Sequence, residues 1–533
     1  MTEPFAELCT DLDASYGAFP DIIAANASRF AGRLALRDEH QELTWADIGA
    51  RIERIAAALQ DSGLERGQAV AILGTSSVNY ALVFLAAVRA GGVAAPLTTS
   101  ASVEQLAAMV RDSGARHLFI DRAKHDDLGE GYMQDLGADM QIVMLDEDLR
   151  PDADSWMAAE GRLALRHSPE RSDPFNIIYS SGTTGTPKGI VHSHAMRWRQ
   201  FATTALSLAR SFEEAGSGGV QALTSTPLYS NTTMVAFLPT LLAGGCVTIM
   251  GRFDAQRWLQ LAQDHAISLT MLVPVQYRPL LDAPCFDEFD LSALRLKYCT
   301  SAPFPAELKR RVLQRMPGAL IEIYGMTEGG VTCLLPAHEF PDKLHTVGRP
   351  APGHALKVIG ENDEVLDAGQ AGQLVGRSGA MMTGYRNRPD ATAEALWTDP
   401  DTGEVWMRMG DIGRIDADGF VELVGRVKDV IISGGFNIYP VDLEAALEQE
   451  PEIAEAAVIG VPSDAWGETP VGFVVLEKSG GTDVLDALRA RVNGRLGKTQ
   501  RLSELHAIPE MPRSHIGKLL KTDLRANWTA MQD

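Results

Sequence analysis

The sequence predicts an α/β protein: a large N-terminal domain of mostly parallel crossover sheets, followed by a small α+β C-terminal domain. Three observations carry this. Helix-period and strand-period segments alternate through the first part of the chain. Near Gly403 that alternation gives way to paired strands of period two. The 533 residues exceed what one ordinary core holds, so two or more domains are expected.

The elements follow in order. "TWADIGARIERIAAALQDSG" starts on a cap-like Thr44 and sets Ile48, Ile52, Ile55 and Leu59 on one face, an amphipathic helix. "AVAILG" is a short apolar strand, "NYALVFLAAVRAGG" a buried-type helix ended by glycine, and "VAAPL" a strand. "SVEQLAAMVRDSG" is a helix and "HLFID" a strand; this spacing requires crossover connections. The texture resumes in "GGCVTIM", "RWLQLAQDHA" and "LTMLVPV". Further on, "IGRIDADGFVELVGR" reads as two strands about a turn at Asp416 to Gly419. A helix over 440–449, strands over 456–461 and 471–476 and a helix over 484–496 complete a small α+β unit. The expected joint lies in "GRVKD", Gly425 to Asp429, dividing the chain into residues 1–427 and 428–533.

Composition sets limits. The formal net charge is −22, from 48 basic and 70 acidic side chains, which argues against a duplex-coating protein. Hydrophobic residues at 45% and charged residues at 22% fit a soluble globular chain. The acidic N-terminus lacks the apolar core of a secretory signal. The stretch from Tyr80 is broken by Arg89 and two glycines and falls short of a membrane span, so a cytoplasmic location is expected. Cys9, Cys246, Cys285, Cys299 and Cys333 are scattered without a CxxC pair and read as reduced, mostly buried thiols.

"SSGTTGTPKG", from Ser180, offers glycines, hydroxyls and one cation, the makings of a phosphate cradle. A Walker A loop needs glycine before the lysine and Ser or Thr after it, whereas Lys188 lies between Pro187 and Gly189. A P-loop NTPase is thereby excluded. Three more stretches accompany it: "YGMTEGG" from Tyr324, "GDIGRIDADGFVELVGRVKDVIISGGFNIYPVDLE" from Gly410, and "PRSHIGKLLK" from Pro512. With "YSSGTTGTPKG" these resemble, in order and spacing, the adenylate-forming superfamily of acyl-CoA synthetases, peptide-synthetase adenylation domains and firefly luciferase. The resemblance runs from about Thr44 to the C-terminus, and four motifs in order make it specific.

The resemblance implies an AMP-forming acid–CoA ligase that makes an acyl-adenylate from a carboxylic acid and ATP, then a thioester with coenzyme A. Such chemistry relies on placement and electrostatic stabilisation, and no GxSxG elbow or Ser/His/Asp set is evident. It implies that Ser180, Thr183, Thr184 and Lys188 cover the ATP phosphates, that Tyr324 stacks on adenine and that Thr327 contacts phosphate. Glu328 would hold Mg2+, and Asp411 the ribose, with Arg426 beside it. Lys518 would be the catalytic lysine of a mobile small domain turning about Lys428. In the second pose Ser433, Gly434, Gly435 and Phe436 would line the CoA tunnel.

The resemblance sets the acyl pocket around Tyr229, Ser230, Asn231, Val273 to Tyr277, Thr300, Ser301, Ala302 and Gly325. Many relatives have histidine at Ser230 and Gly-Gly at Thr300 and Ser301. Side chains there should narrow the channel, favouring a compact aromatic or short- to medium-chain acid. No Lys, Arg or His lies in these segments, which disfavours a dicarboxylic acid. His192 and His194 lack the spacing of a metal set and read as loop or helix-start residues. "RWR" at Arg197 to Arg199 reads as a solvated helix face. The expected partners are a small carboxylic acid, ATP with Mg2+, and coenzyme A, with no nucleic acid, no transmembrane segment, and a homodimer left open. The alternatives are a stand-alone adenylating enzyme with a carrier-protein or other acceptor, and a non-catalytic ATP- and acid-binding protein.

Overall fold

The computed structural model describes the chain except residues 1, 130, 137–138, 150–154, 181–186, 215, 217, 434–435, 478–483, 498–499, 515–516 and 533. Among the described residues the strands form four sheets. The nine-stranded sheet runs, in spatial order, Arg349–Pro350, Gly329–Pro336, Ala319–Met326, Leu296–Cys299, Leu269–Leu272, Gln221–Thr224, Cys246–Ile249, Leu34–Arg37 and Glu42–Thr44. Its central pairs are parallel and its flanks antiparallel. The seven-stranded sheet runs Gly384–Tyr385, Lys188–Ser193, Pro174–Ser180, Val93–Leu97, Ala69–Leu73, His117–Ile120 and Gln141–Met144. It too is parallel except where Lys188–Ser193 pairs.

Apolar helices fill the space between these sheets. Val78–Arg89 is buried on every side from Tyr80 to Val88, which is why its sequence shows no polar face. Phe84 stands between Phe175 of the seven-stranded sheet and Phe237 of helix Asn231–Leu242, with ring centroids at 6.0 and 6.5 Å. Helix Trp45–Asp61 begins as its sequence predicts: Thr44 accepts from the Asp47 N–H while Asp47 accepts from the Thr44 N–H, a reciprocal cap. The same device, Ser102 with Gln105, starts Val103–Ser113.

A third sheet is antiparallel throughout: Ala355–Ile359, Gly372–Arg377, Val405–Ile415 and Leu396–Thr398, with Val421–Arg426 on Val405–Ile415. The sequence shows a change of texture only from Gly403, because the first two strands are short and do not alternate cleanly between buried and open positions. The short helix Val427–Asp429 leads from this sheet into the fourth, Phe436–Ile438, Ile431–Ser433, Gly467–Leu476 and Ile453–Ser463, joined by Glu504–Ala507. Helices Pro440–Glu448 and Leu485–Asn493 cover it through Leu443, Leu447, Leu488 and Val492. Cys9, Cys246, Cys299 and Cys333 are buried, and Cys285 is partly exposed. No helix among the described residues is long and apolar enough to cross a membrane.

Strand Ala319–Met326 leads to the candidate site and is braced by a buried ion pair. Lys309, on helix Ala306–Arg315, pairs with Glu322, the two side chains being only 2% and 6% exposed. Lys309 Nζ also donates to the Leu344 and Thr346 carbonyls at 2.7 and 3.0 Å. Burial pushes the Glu322 carboxyl up to about 7, against the pull of Lys309. Replacing Lys309 by Met leaves that carboxyl unpaired in the core, at a cost of about 3–5 kcal/mol. A clearly lowered melting temperature is expected, and much of the loss should return in Lys309→Met/Glu322→Leu. Equal melting of single and double variants would refute the account.

Candidate active site

Two of the motifs lie at strand ends, at Ser180 and at Tyr324, while Asp411 lies within strand Val405–Ile415 and Lys518 in the segment before the last helix. Ser180 closes Pro174–Ser180 and faces Lys188, which opens Lys188–Ser193. The hydroxyl-rich loop therefore leaves and re-enters one antiparallel pair. Ser181 and the two expected phosphate contacts Thr183 and Thr184 lie outside the described residues. Lys188 Nζ sits over the Tyr385 ring, 5.1 Å from its centroid, and the Tyr385 hydroxyl donates to Glu328 Oε1 at 2.8 Å. This chain of contacts links the loop to "YGMTEGG". Gly329 has φ +93°, and a Cβ there would run into the Ala380 carbonyl, so only glycine lets the two backbones close on each other.

Tyr324 lies near the end of Ala319–Met326, where a bulge interrupts pairing with the next strand. Its hydroxyl donates to Asp411 Oδ2 at 2.7 Å. Asp411 Oδ1 forms an ion pair with Arg426 Nε at 3.1 Å, and the two residues oppose each other across strands Val405–Ile415 and Val421–Arg426. Burial, with the Asp411 charge adding to it, raises the Tyr324 phenol well above its ordinary value, so it stays a neutral donor.

Lys518 comes to the same place from the small C-terminal unit. Arg513 donates to the Gly517 carbonyl at 2.8 Å and the Ser514 N–H to the Lys518 carbonyl at 2.9 Å, which ties residues 513–514 to 517–518. Gly517, at φ +76°, abuts Val275, and a Cβ there would lie 2.5 Å from a Val275 methyl. The Lys518 side chain keeps solvent access, yet protein atoms crowd its ammonium. That crowding lowers its pKa first; Arg426 and Lys428 lower it further, and Asp411 and Glu328 oppose them. Burial likewise lowers Lys428, on helix Val427–Asp429.

The expected acyl-pocket residues meet through hydroxyls. Ser230 caps helix Asn231–Leu242 by accepting from the Thr232 N–H. Thr232 and Ser301 share a short hydroxyl–hydroxyl hydrogen bond. Ser301 holds φ +81°, a left-handed conformation costly for a residue with a Cβ, and Thr300 Oγ1 donates to the Ile323 carbonyl at 2.5 Å. Tyr229 is half-buried beside Thr98 and Thr99, and Ala302 and Gly325 are open to solvent in part. The proposed CoA-tunnel residues are not with this group. Ser433 pairs with Phe436 in a hairpin, Phe436 is 60% exposed, Asn437 donates to Glu361 at 2.8 Å, and Gly434 and Gly435 lie outside the described residues.

Two readings are corrected. The "RWR" segment is not a solvated face: Arg197 and Trp198 are buried, and only Arg199 is exposed. Helix His194–Glu214 turns Arg197 inward to Asn176, Gln200, Asn231 and His192, where buried hydrogen bonds replace water. His194 does start that helix, but His192 lies in strand Lys188–Ser193 and contacts the Thr327 carbonyl at 2.8 Å. Nothing in the sequence singles out Tyr385, whose role comes from a short strand paired to Lys188–Ser193.

The family described as AMP-binding enzyme matches residues 23–386, and the AMP-binding enzyme C-terminal domain matches residues 442–518. The chain is 31% identical to an indoleacetate–CoA ligase of Aromatoleum aromaticum, over 93% of this chain and 95% of that protein. It is 32% identical to a feruloyl-CoA synthase of Amycolatopsis sp, over 92% and 95%. Among solved structures it is similar to the o-succinylbenzoate CoA synthetase MenE of Bacillus subtilis in complex with ATP and magnesium ion. That match has TM-score 0.79 and 25% identity, over 95% and 99% of the chains.

The lowered pKa of Lys518 is directly measurable. An amine reacts when uncharged, so acetic anhydride should modify Lys518 with a midpoint at lower pH than Lys343. Asp416 and Asp418 hold Lys343 above its ordinary value by hydrogen bonding. Peptide mapping across the alkaline range reads both midpoints, and coincident or reversed midpoints would refute the assignment.

Proposed function

The chain belongs to the AMP-binding enzyme family, and from that premise we propose that it is an AMP-forming acid–CoA ligase for a compact carboxylic acid, with aromatic acids the first choice. The observation that carries the reading is that Lys518, from the small C-terminal unit, comes within electrostatic reach of Asp411, Arg426 and Glu328 of the large fold. The Lys518 ammonium feels the charges of Arg426, Lys428, Asp411 and Glu328, so three cations act there with two carboxylates, a balance suited to an anionic phosphate. In the first step a carboxylate oxygen attacks the α-phosphorus of ATP, the bond to the pyrophosphate oxygen breaks, and pyrophosphate leaves. In the second the thiol of coenzyme A attacks the acyl carbon, AMP leaves, and the thiol proton passes to solvent.

Roles follow from chemistry and position. Lys518 bridges substrate carboxylate and α-phosphate as a point charge. Lys188, Ser180, Thr183, Thr184 and Thr327 hold phosphate oxygens. Tyr324 stacks on adenine, while Asp411, whose oxygens keep spare lone pairs beyond Tyr324 and Arg426, accepts from the ribose. Glu328 suits the Mg2+ that arrives with ATP, because Tyr385 engages one carboxylate oxygen and orients the other, a hard donor. That ion would neutralise charge on the phosphate oxygens. The unit 428–533 turns about Lys428 for the second step, bringing residues 433–436 inward.

The aromatic preference rests on what the relatives' names state, indoleacetate and ferulate, and on the acyl pocket. Ser301 stands in a left-handed conformation that glycine would adopt freely, and its tie to Thr232 supports a narrowed channel.

The test measures AMP from MgATP and benzoate, indole-3-acetate, ferulate, hexanoate, palmitate or malonate, with and without CoA. Rapid release only with CoA and an aromatic acid is expected. Adenylate that ignores CoA would move the acceptor to a carrier-protein thiol, and no AMP with any acid would overturn the reading. In the same assay Lys518→Ala should lose on the order of 100-fold or more in adenylation, the scale of removing one preorganised charge. It should still convert supplied acyl-adenylate to thioester; equal loss of both steps refutes the two-pose assignment. Ser301→Gly should move kcat/KM toward longer acids and, by relieving the left-handed backbone, cost no stability; an unchanged acid preference counts against the narrowed channel.

A further inference from the structure

Arg197 is wholly buried in helix His194–Glu214, and among the described residues no carboxylate pairs with it. Its partners are all neutral. Nε donates to Asn176 Oδ1 at 2.9 Å, and one terminal nitrogen donates to Gln200 Oε1 at 2.7 Å and Asn231 Oδ1 at 2.8 Å. The other approaches His192 Nδ1 at 3.1 Å. Burial lowers the Arg197 guanidinium to about 9. A buried charge without a counter-ion is an expensive way to fill a core, and an apolar side chain would pack there at lower cost. Its retention calls for a reason in the network it holds.

Arginine only donates, which fixes the polarity of everything it touches. His192 Nδ1 must accept, so Nε2 carries the proton and donates to the Thr327 carbonyl at 2.8 Å. Asn231 must present Oδ1 to Arg197, so its NH2 group faces away, and among the described residues that group has no protein partner. Asn231 opens the helix that carries Thr232, the partner of Ser301, and Thr327 adjoins Glu328.

We propose that Arg197 is a positioning residue joining the two substrate sites: it sets the Asn231 amide as a donor on the acid side and, through His192, the Thr327 backbone on the nucleotide side. The acid favoured by this arrangement carries a hydrogen-bond acceptor within reach of Asn231. This rests on the ligase reading above.

The test compares Arg197→Met, Asn231→Ala, His192→Leu and Arg197→Met/Asn231→Ala, with steady-state AMP release from MgATP and the panel acid of highest kcat/KM. Hydrogen bonds to a charged group carry about 1.5–3 kcal/mol, or about tenfold and more. Asn231→Ala should raise the acid KM about tenfold with the ATP KM unchanged, His192→Leu the reverse, and Arg197→Met both. Adding Asn231→Ala to Arg197→Met should change the acid KM less than about twofold. Additive effects in the cycle, or a lowered melting temperature with both KM values unchanged, would overturn the proposal. If Arg197→Met does not fold, Arg197→Lys replaces it in the cycle, since a single ammonium cannot hold the same fork of acceptors. If the wild type releases no AMP, the ligase reading fails, and equilibrium binding of ATP decides the nucleotide arm. Arg197→Met and His192→Leu should then weaken ATP about tenfold and Asn231→Ala leave it unchanged; equal affinities would overturn the proposal.

Discussion

The hydrogen bond from Tyr324 to Asp411 is the contact on which the arrangement depends. Tyr324 belongs to the nine-stranded sheet and Asp411 to the antiparallel sheet that leads into the small unit. Asp411 in turn holds Arg426, the last residue of that sheet before helix Val427–Asp429. A chain of three side chains therefore spans from the core of the large fold to the start of helix Val427–Asp429. Because the phenol is buried and its pKa raised, it cannot compete with Asp411 for negative charge, and the carboxylate keeps its pairing with Arg426. The seven-stranded sheet enters through a second link, Lys188 over Tyr385 and Tyr385 to Glu328.

The charge at this meeting point has the opposite sign to that of the chain. A protein of formal net charge −22 gathers Lys518, Lys428 and Arg426 around two carboxylates, with Arg197 buried and unpaired by any described acid. Over distances beyond the Debye length the acidic surface is screened, whereas charges crowded by protein are not. A local excess of cations can thus attract a polyphosphate that the net charge would repel. Composition alone is therefore a poor guide to a small anionic ligand, though a sound one against a long polyanion such as duplex DNA.

What the sequence makes legible is whatever local physics decides. The Thr44–Asp47 cap, the apolar period of Trp45–Asp61 and the turn between Val405–Ile415 and Val421–Arg426 can each be read without a partner. The motif residues Tyr324, Asp411, Arg426 and Lys518 can be read as a set because their order and spacing are shared with a known family. Contacts that come from tertiary register cannot. Tyr385 reaches Glu328 only because Gly384–Tyr385 adds to the edge of Lys188–Ser193, and two residues of strand carry almost no signal of their own. Arg197 misleads for the same reason. Beside Arg199 it reads as a basic helix face, yet 100° of helical rotation per residue sends one side chain inward and leaves the other in water.

The proposed cycle asks that the small unit be both placed and movable. In the pose seen, Gly517 packs on Val275 and exposed polar contacts such as Asn437 to Glu361 tie the unit to the large fold. Exposed pairs of this kind contribute about 0–1 kcal/mol each, little against the loss that breaking a core would bring. On the proposed cycle this has an electrostatic logic. While ATP is bound, its triphosphate offsets the repulsion that Arg426 and Lys428 exert on Lys518, which adds to burial in lowering the Lys518 pKa. Once pyrophosphate leaves, most of that negative charge leaves with it, and the cations again repel one another. Moving Lys518 away then relieves repulsion at the moment when the site needs room for a thiol. Lys428 on the short helix Val427–Asp429 sits where such a rotation begins, held below its ordinary pKa by the same crowding. Departure of the first product would thus favour the pose that makes the second.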